Sequence, residues 1–441
     1  MKNNLTIENA WICSVVETEV IPFFGDLLIT SGIISKIRPK NFFSFLKNPT
    51  RVGKDSYNAF GRVLTIPNVN FHDHIYSRLA KGLPLKGKFD SFQNVLKNLW
   101  WKLDRALDRD MIKASAQAAA IDSIQNGVTY IFDHHSSQSE IKNSLNVIKN
   151  VLDDFSLRGV LCFETTDRNS SSSAVDGLSE NVSFLNDANE NFKAMLGLHA
   201  SFTISDETLL EAKKVLGKNW GIHIHVAEDE SDNRLSMEYS GALPVSRLKK
   251  YKLMNDKSIL VHGVHLQQKD YLKIIEADSA IAFCLDSNMN NSVGMPQFTK
   301  IPNPIPLLIG TDGMHSNIAR SFKQLFLISR NQGMSSEQSF SLIKKIYFDQ
   351  NNFVKKYFND FTSLMEKERA DFIVWDYVPP TPINKENFWG HFIYGILEAR
   401  ILSVVQKGKF LMKNFQYINE EIEEVRSQIF QEGERLYNKL K

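Results

Sequence analysis

The chain has 441 residues, and its 52 Lys and Arg against 50 Asp and Glu give a formal net charge of +2 at pH 7. This length exceeds one ordinary domain and matches a single large barrel of about 250 residues with an accessory unit. The nearly balanced charge, spread without long basic blocks, excludes the electrostatic footprint of a nucleic-acid-binding protein. We therefore expect a small-molecule substrate as the partner.

The cysteines and the N-terminal residues are informative about the cellular compartment of the protein. Cys13, Cys162 and Cys284 lie far apart without CxxC spacing, which predicts neither a disulfide framework nor a thiolate metal site. Residues 1–8 are polar where a signal peptide is hydrophobic, and no apolar run approaches the ~20 residues of a membrane span. We expect a soluble cytoplasmic protein without a membrane partner. The oligomeric state stays open, a homo-oligomer included.

The N-terminal residues, 1–61, contain short β-type runs. These runs are residues 5–10, 26–30 and 33–37. Turn residues such as Ser31 and Gly32 separate them. The pattern predicts a small β unit.

From Arg62 onward, short apolar runs alternate with longer helical patterns. The eight apolar runs read RVLTIPNVN, VTYIF, RGVLCF, KAMLGL, WGIHIHV, KSILV, SAIAFC and PLLIG. The segments between them include the helical patterns 111–125, 141–155, 207–216 and 271–276. Such alternation predicts parallel strands joined by crossover helices, hence an α/β fold in which residues 62–368 form a closed (β/α)8 TIM barrel. The serine-rich stretch 169–174 is typical of a flexible loop.

The pattern changes again from residue 369 onward. ADFIVWDY and ARILSVVQKGKF are typical of strands, with a turn at Lys407 and Gly408. We expect these strands to pair with the N-terminal β unit. Apolar residues then recur at helical spacing and predict a terminal amphipathic helix. They are Ile418, Ile422, Val425, Ile429 and Leu436.

Two histidines end the first predicted barrel strand. His72 and His74 stand two residues apart in PNVNFHDHIY. Alternate residues of a strand share a face, so both imidazoles can bind one ion. Taken alone, an HxH pair is equally consistent with structural histidines.

Further polar groups follow later predicted strands. His225 and Glu228 lie in GIHIHVAEDE, His262 in ILVHGVHL and Asp312 in PLLIGTDGMHSN. Each alone fits an ordinary strand end, and for His223 we favour a supporting role beside the site. Because strand exits meet on the active C-terminal rim of a barrel, their combination with the HxH pair favours a catalytic metal centre.

The donor types favour one particular chemistry. The predicted ligands of one divalent ion are His72, His74, His225 and Asp312. Three neutral imidazoles and a carboxylate suit Zn²⁺ first and Fe²⁺ second, with a position open for water. Such an ion lowers the pKa of its water from about 15.7 to about 7. We expect Glu228 to shuttle the proton to the leaving nitrogen and His262 to orient the nucleophile, so the predicted catalytic residues are Glu228, His262 and Asp312.

Four further residues are candidates for substrate contacts. His199 ends the fourth predicted strand and Asn288 follows the seventh, both on the rim. Arg168, after strand three, could bind a carboxylate or oxo group, with an ordinary ion pair as the alternative. Trp101, in LWWKLDRAL, is either a packing residue or a platform for the substrate.

This set of residues resembles the amidohydrolase superfamily, whose pattern is HxH on strand one, His on strands five and six, and Asp on strand eight. FETTDRN, HVAEDESD, SNMNNSVG, GTDGMHSN and the tail ADFIVWDYVPPTP with GHFIYG are similar to its aminohydrolase/chlorohydrolase branch. The resemblance implies a β-sandwich built from residues 1–61 and 369–441, and hydrolytic deamination of a heterocyclic, purine- or pyrimidine-like amine. Asn68 stands where the family usually has glycine, a change we expect to be harmless because asparagine tolerates positive φ.

Spacing alone predicts only metal-dependent hydrolysis, so alternatives stay open. The same site would serve a cyclic amide or chloro-heterocycle hydrolase, because only the leaving group changes. A non-enzymatic scaffold would lack a ligand or the proton shuttle, and neither is missing from the sequence. Some superfamily members bridge two ions with a carbamylated lysine at the tip of strand four. Here the nearest lysine, Lys193, is roughly 20 Å from that tip at about 3.3 Å per residue, which predicts one ion per chain.

Overall fold

The computed structural model describes residues 4–47, 56–84, 86–217 and 220–441. The strands are β1 (Asn4–Val16), β2 (Glu19–Thr30), β3 (Ile33–Pro39), β4 (Ser56–Asn58), β5 (Val63–Thr65), β6 (Asn68–Asp73), β7 (Val128–His135), β8 (Arg158–Phe163), β9 (Phe192–Ala194), β10 (Leu196–Ala200), β11 (Ile222–Val226), β12 (Ile259–His262), β13 (Ala280–Phe283), β14 (Leu307–Ile309), β15 (Phe372–Trp375), β16 (Ile401–Gln406), β17 (Lys409–Lys413) and β18 (Gln416–Tyr417). The α-helices are α1 (Phe42–Lys47), α2 (Phe92–Val95), α3 (Trp101–Ala106), α4 (Arg109–Gln125), α5 (Ser144–Asp154), α6 (Ser171–Asn186), α7 (Asp206–Val215), α8 (Glu230–Ser240), α9 (Pro244–Lys250), α10 (Gln268–Glu276), α11 (Leu285–Asn290), α12 (Ile318–Asn331), α13 (Ser336–Lys355), α14 (Phe388–Tyr394) and α15 (Ile422–Leu440). None of the helices in these ranges is long and apolar enough to cross a membrane.

Strands from both ends of the chain share one sheet. Its order is β18-β17-β16-β15-β5-β1-β2-β3, and β4 pairs with β1 outside that path. The antiparallel pairing of β15 with β5 joins the C-terminal strands to the N-terminal ones and confirms the pairing predicted from the sequence. Lys407 (φ 49°) and Gly408 (φ 72°) form the two-residue turn between β16 and β17, as expected for a hairpin whose twist requires positive φ at both positions.

Two parallel sheets form the middle of the chain. Their orders are β6-β7-β8-β9 and β10-β11-β12-β13-β14. The helices α4, α5, α7 and α10 overlap the four helical patterns of the sequence and connect successive parallel strands. This is the predicted α/β fold, because parallel neighbours need long crossover connections.

Backbone contacts also link the two parallel sheets to each other. Thr165 forms a parallel bridge with Leu198, and Asp73 forms one with Asp312. The N–H groups of Thr311 and Asp312 both donate to the carbonyl oxygen of His72, at 2.9 and 3.0 Å. The last parallel strand therefore lies directly beside the first.

The apolar run over residues 62–70 forms two strands rather than one. Val63–Thr65 pairs with β1 and β15 in the sheet of the chain ends, whereas Asn68–Asp73 begins the parallel strands. Asn68, at the position where glycine was expected, lies in a strand, and its Nδ2 donates to the carbonyl oxygen of Asn126 at 3.0 Å. Glycine is therefore not needed for the backbone at this position.

The expectation of a flexible loop over residues 169–174 is wrong for most of that stretch, because α6 begins at Ser171. The hydroxyl of Ser170 accepts a hydrogen bond from the N–H of Ser173 at 3.1 Å. A serine at this position satisfies an N–H group that has no partner within the helix, so the serines start a helix here.

A buried aspartate ties the parallel strands to the sheet of the chain ends. The Asp371 side chain is fully buried just before β15. It accepts hydrogen bonds from the Tyr130 hydroxyl of β7 at 2.8 Å, from Arg369 Nε at 2.6 Å and from the N–H of Lys407. Removing the carboxylate would leave three donors without their acceptor.

Asp371→Ala is therefore expected to lower the free energy of unfolding by about 3–5 kcal/mol, the usual cost of breaking a buried ion pair. Urea denaturation followed by circular dichroism measures the change. Asp176→Ala, at an exposed position on α6, is the matched control and should cost less than about 0.5 kcal/mol. Equal denaturation midpoints for the two variants would contradict the role given to Asp371.

Candidate metal centre

Four predicted ligands meet where β6, β11 and β14 end. We call His72, His74, His225 and Asp312 the four-donor centre; one ligand atom from each lies within 4.8 Å of all the others, and all four residues are buried. His74 Nε2 is 3.0 Å from Asp312 Oδ1 and 3.2 Å from His225 Nε2. His72 Nε2 is 3.3 Å from His225 Nε2. This spacing of nitrogen and carboxylate donors fits one small divalent ion.

Strand geometry brings these side chains together. Alternation along the chain turns His72 and His74 toward the centre, while Asp73 between them pairs with Arg78 Nη2 at 2.6 and 2.7 Å. Gly310 allows the last strand to approach the first, because a Cβ added at Gly310 would lie 2.5 Å from the Cβ of His72. The centre therefore depends on a position where a larger residue does not fit.

Each ligand histidine of the four-donor centre is held through its Nδ1. The three contacts are His72 Nδ1 with His223 Nε2 at 2.9 Å, His74 Nδ1 with the carbonyl of His134 at 2.6 Å, and His225 Nδ1 with the carbonyl of His199 at 2.9 Å. Such contacts orient the rings and leave Nε2 for an ion. The supporting role expected for His223 agrees with its contact to His72.

Charges within the centre shift its pKa values in opposite directions. Burial lowers the pKa of His72 to about 3. Burial acts on His74 in the same sense, but the hydrogen bond and charge of Asp312 outweigh it and raise the pKa of His74 to about 9. Burial acts to raise the pKa of Asp312, yet the hydrogen bonds from the two rings hold it well below its usual range. An ion bound here takes the place of the proton on His74, because metal ligands must be deprotonated.

One residue of the four-donor centre and two residues beside it have a left-handed backbone. The φ angles are 50° for Ala227, 71° for His262 and 55° for Asp312. Residues other than glycine rarely adopt this conformation, which costs about 1–3 kcal/mol and persists only where surrounding contacts enforce it. Such strain is typical of functional positions.

Glu228 and His262 lie next to the four-donor centre. His262 Nε2 is 3.5 Å from Glu228 Oε2, and His262 Nδ1 donates to Asn288 Oδ1 at 2.8 Å. Burial raises the pKa of Glu228 well above its usual value. A carboxyl group with a raised pKa can hold a proton and return it, which is what a general acid and base must do.

These residues open onto a pocket of about 600 Å³. Its aromatic lining consists of Tyr76, Phe92, Trp100, Trp101 and Phe202. Three of the expected substrate residues, His199, Arg168 and Trp101, also line it. Asn288 instead contacts His262, so its side chain supports a catalytic candidate.

The sequence analysis missed two polar groups of the site. Glu164, directly after β8, lines the pocket, and its position at a strand exit is the signal that could have identified it. The hydroxyl of Ser287, near the start of α11, donates to Asp312 Oδ2. Of the two roles considered for Arg168, the ion pair is formed, with Asp104, but it is buried rather than at the surface.

Residues 66–411 match the amidohydrolase family. The chain belongs to this family. It is accordingly a hydrolytic enzyme that acts on carbon–nitrogen bonds. The sequence resemblance to this superfamily is confirmed.

Two curated relatives with similar sequences are deaminases. The 5′-deoxyadenosine deaminase of Methanosphaera stadtmanae is 26% identical over 372 residues, which cover 81% of this chain and 85% of the relative. The 5-methylthioadenosine/S-adenosylhomocysteine deaminase of Pyrococcus horikoshii is 26% identical over 314 residues, which cover 68% of this chain and 69% of the relative.

Similar solved structures show the fold. An adenosine deaminase from Xanthomonas campestris with bound zinc superimposes with a TM-score of 0.81 at 16% identity, over 98% of both chains. The atrazine chlorohydrolase TrzN from Arthrobacter aurescens with zinc superimposes with a TM-score of 0.78 at 16% identity, over 97% of this chain and all of the other. Both neighbours hold zinc; for this chain, the family match and the four-donor centre support a divalent metal cofactor.

Removing a ligand side chain should remove the ion. We expect His72→Ala and Asp312→Ala to lose both bound metal and hydrolytic activity, because each deletes one of four donors. Elemental analysis of the purified variants measures the metal. His391→Ala, whose ring contacts Tyr377 and Thr381 in the C-terminal segment, is the control and should keep its metal. A fully metallated, active variant at position 72 or 312 would refute the ligand assignment.

Proposed function

We propose that this enzyme is an aminohydrolase that removes the amino group of a heterocyclic amine as ammonia. The observation that carries the proposal is the four-donor centre with Glu228 beside it, opening onto an aromatic-lined pocket. A planar ring suits such a lining. The deaminase names of the curated relatives favour an amine as the substrate.

We also propose that the two parallel sheets form one closed (β/α)8 barrel within the expected residues 62–368. The bridges of Thr165 with Leu198 and of Asp73 with Asp312 support closure at both junctions. The chain ends, residues 1–61 and 369–441, would then form a β-sandwich with the terminal helix, and β5 (Val63–Thr65) belongs with them because it pairs with β1 and β15. In this architecture the four-donor centre lies at strand exits, where active sites of such barrels are found.

The proposed cofactor is one divalent ion per chain, Zn²⁺ before Fe²⁺. The ion would be held by the four-donor centre and, when bound, supplies an activated water at neutral pH. Lys193, the lysine nearest the tip of strand four, donates to the carbonyl oxygen of Asn189 at 2.8 Å and belongs to β9, at the start of that strand. It cannot serve as a bridge between two ions.

The proposed proton transfers run through Glu228. This carboxylate takes a proton from the attacking water and delivers it to the substrate nitrogen that leaves. His262, fixed through Nδ1 by Asn288, presents Nε2 toward Glu228 and orients the attacking water. The raised pKa of Glu228 fits a group that must carry the proton between these two steps.

A second function keeps the same residues but changes the leaving group. Opening of a cyclic amide or release of chloride from a chloro-heterocycle needs the same activated water. The chlorohydrolase among the similar structures has this fold, which keeps the alternative open. Assays for ammonia, chloride and ring opening separate the three reactions.

The remaining expectations concern the cellular setting. Cys13, Cys162 and Cys284 are buried and unpaired. A cytoplasmic location and a homo-oligomeric state stay predictions, and a small heterocycle is the proposed partner.

Glu228→Gln should release ammonia from a heterocycle panel with kcat lowered by about 10²–10⁴-fold, the usual worth of general acid–base help. Its metal content should equal that of the wild type, because Glu228 is not a proposed ligand. Glu230→Gln, at an exposed neighbouring position, is the control and should be fully active. Undiminished ammonia release by Glu228→Gln would remove this residue from the mechanism. If the wild type releases ammonia from none of the amines, the proposed aminohydrolase activity is refuted.

Protein purified without added metal should contain close to one divalent ion per chain. A second dication near the first would face strong repulsion without an anionic bridge. Elemental analysis against protein concentration gives the ratio. Two tightly bound ions per chain would contradict the single-ion site.

A further inference from the structure

Glu164 is a buried carboxylate without a hydrogen bond in the described part of the chain. Its side chain is 4% exposed. The nearest side-chain nitrogens of basic residues are His199 Nε2 at 3.6 Å, His134 Nδ1 at 3.7 Å and Arg168 Nη2 at 3.9 Å, all beyond hydrogen-bond distance. A buried carboxylate is costly unless donors surround it. Because Glu164 lines the pocket, the missing donors point to a ligand.

Arg168 does not supply the missing hydrogen-bond donor to Glu164, because its side chain contacts other residues. Its Nη2 donates to Asp104, and its guanidinium lies over the Trp101 ring at 5.2 Å. Asp104 therefore accepts the hydrogen bond of Nη2, and Arg168 reaches Glu164 only as a looser ion pair at 3.9 Å. The Nε of Arg168 is buried without a partner within the described residues. The guanidinium fork thus keeps a donor for an oxygen acceptor.

His199 adds a second acceptor beside Glu164. The Thr203 hydroxyl donates to the carbonyl of Ala200 at 3.0 Å, so it must accept from His199 Nδ1, which lies 2.6 Å away. In the neutral ring Nε2 is then an acceptor. Two acceptors 3.6 Å apart repel each other unless a donor comes between them.

We propose that Glu164 is a specificity-determining residue that accepts N–H groups of the substrate, while Arg168 donates to an adjacent oxo group. This inference rests on the proposed function and narrows the substrate to an amino-oxo heterocycle with a ring N–H. Glu164 has a carboxylate oxygen within 4.8 Å of donors of both His74 and His225. The recognised edge therefore adjoins the reacting carbon. In adenosine the nitrogens of the six-membered ring are acceptors and the reacting amino group is the one donor on that ring, so its ring nitrogens would leave Glu164 unpaired.

Two matched series of compounds test the proposal. One is isocytosine, its N3-methyl derivative and 2-aminopyrimidine; the other is guanine, 1-methylguanine and 2-aminopurine. The first member of each series has an N–H in the six-membered ring next to the oxo group, the second lacks that N–H, and the third lacks both; the imidazole N–H of the purine series is common to all three of its members. Adenosine is the reference amine. Ammonia release gives kcat and KM, and calorimetry on metal-loaded Glu228→Gln protein gives binding without turnover.

We expect the first member of at least one series to bind and react best. Glu164→Gln should lower its kcat/KM by about 10–100-fold, mainly through KM, which corresponds to one or two charge-assisted hydrogen bonds. The same variant should change the third member and adenosine less than about threefold. Its metal content should not change. Glu180→Gln, another buried carboxylate that accepts from the N–H groups of Asn143 and Leu145, is the matched control.

Several outcomes overturn the proposal. These are equal affinity for the N–H and N-methyl compounds, failure of both first members to bind while adenosine reacts, and loss of bound metal in Glu164→Gln, which would make Glu164 a metal ligand. If no amine yields ammonia, the proposed function fails instead. The calorimetric preference for the N–H compound still decides the role of Glu164 in that case.

Discussion

The burial of four metal-binding groups at one point is the constraint on which the rest of the site depends. Three imidazole nitrogens and a carboxylate face one another within 4.8 Å, away from water. Such a set of acceptors is unfavourable unless a cation or protons lie among them. The surrounding residues are arranged to hold it: carbonyl groups and His223 fix the rings, and the backbone of the last parallel strand is bonded to that of the first.

Polar side chains surround the four-donor centre in successive layers. The proposed ligand histidines are fixed by contacts on their far side, Glu228 and His262 form the next layer, and Asn288 and Asn291 contact those two in turn. Beyond them the pocket lining is largely aromatic, with Glu164, Arg168 and Asp232 as charged residues among the aromatic ones. The proposed catalytic groups and the groups proposed to recognise the substrate therefore occupy adjacent parts of one cavity.

The four-donor centre could be predicted because strands alternate and parallel strands end on one side, so residues after each strand converge. The break in the run 62–70 was harder to predict. Pro67 interrupts that run, and a proline lacks the N–H that a central strand donates. The partners of Arg168 and Glu164 could not be predicted, since Asp104 is 64 residues from Arg168 in sequence. The start of α6 could have been predicted, because Ser170 is a favourable residue before a helix.

The left-handed backbone at His262 and Asp312 bears on how the protein keeps its shape. Strain of this kind favours the unfolded chain, so the folded state needs compensation from elsewhere. A ligand that binds only the folded state contributes free energy that grows with the logarithm of its concentration over its dissociation constant. A divalent metal bound at the four-donor centre would thus also act as a folding ligand, and cells starved of that metal would lose enzyme by degradation as well as by inactivity.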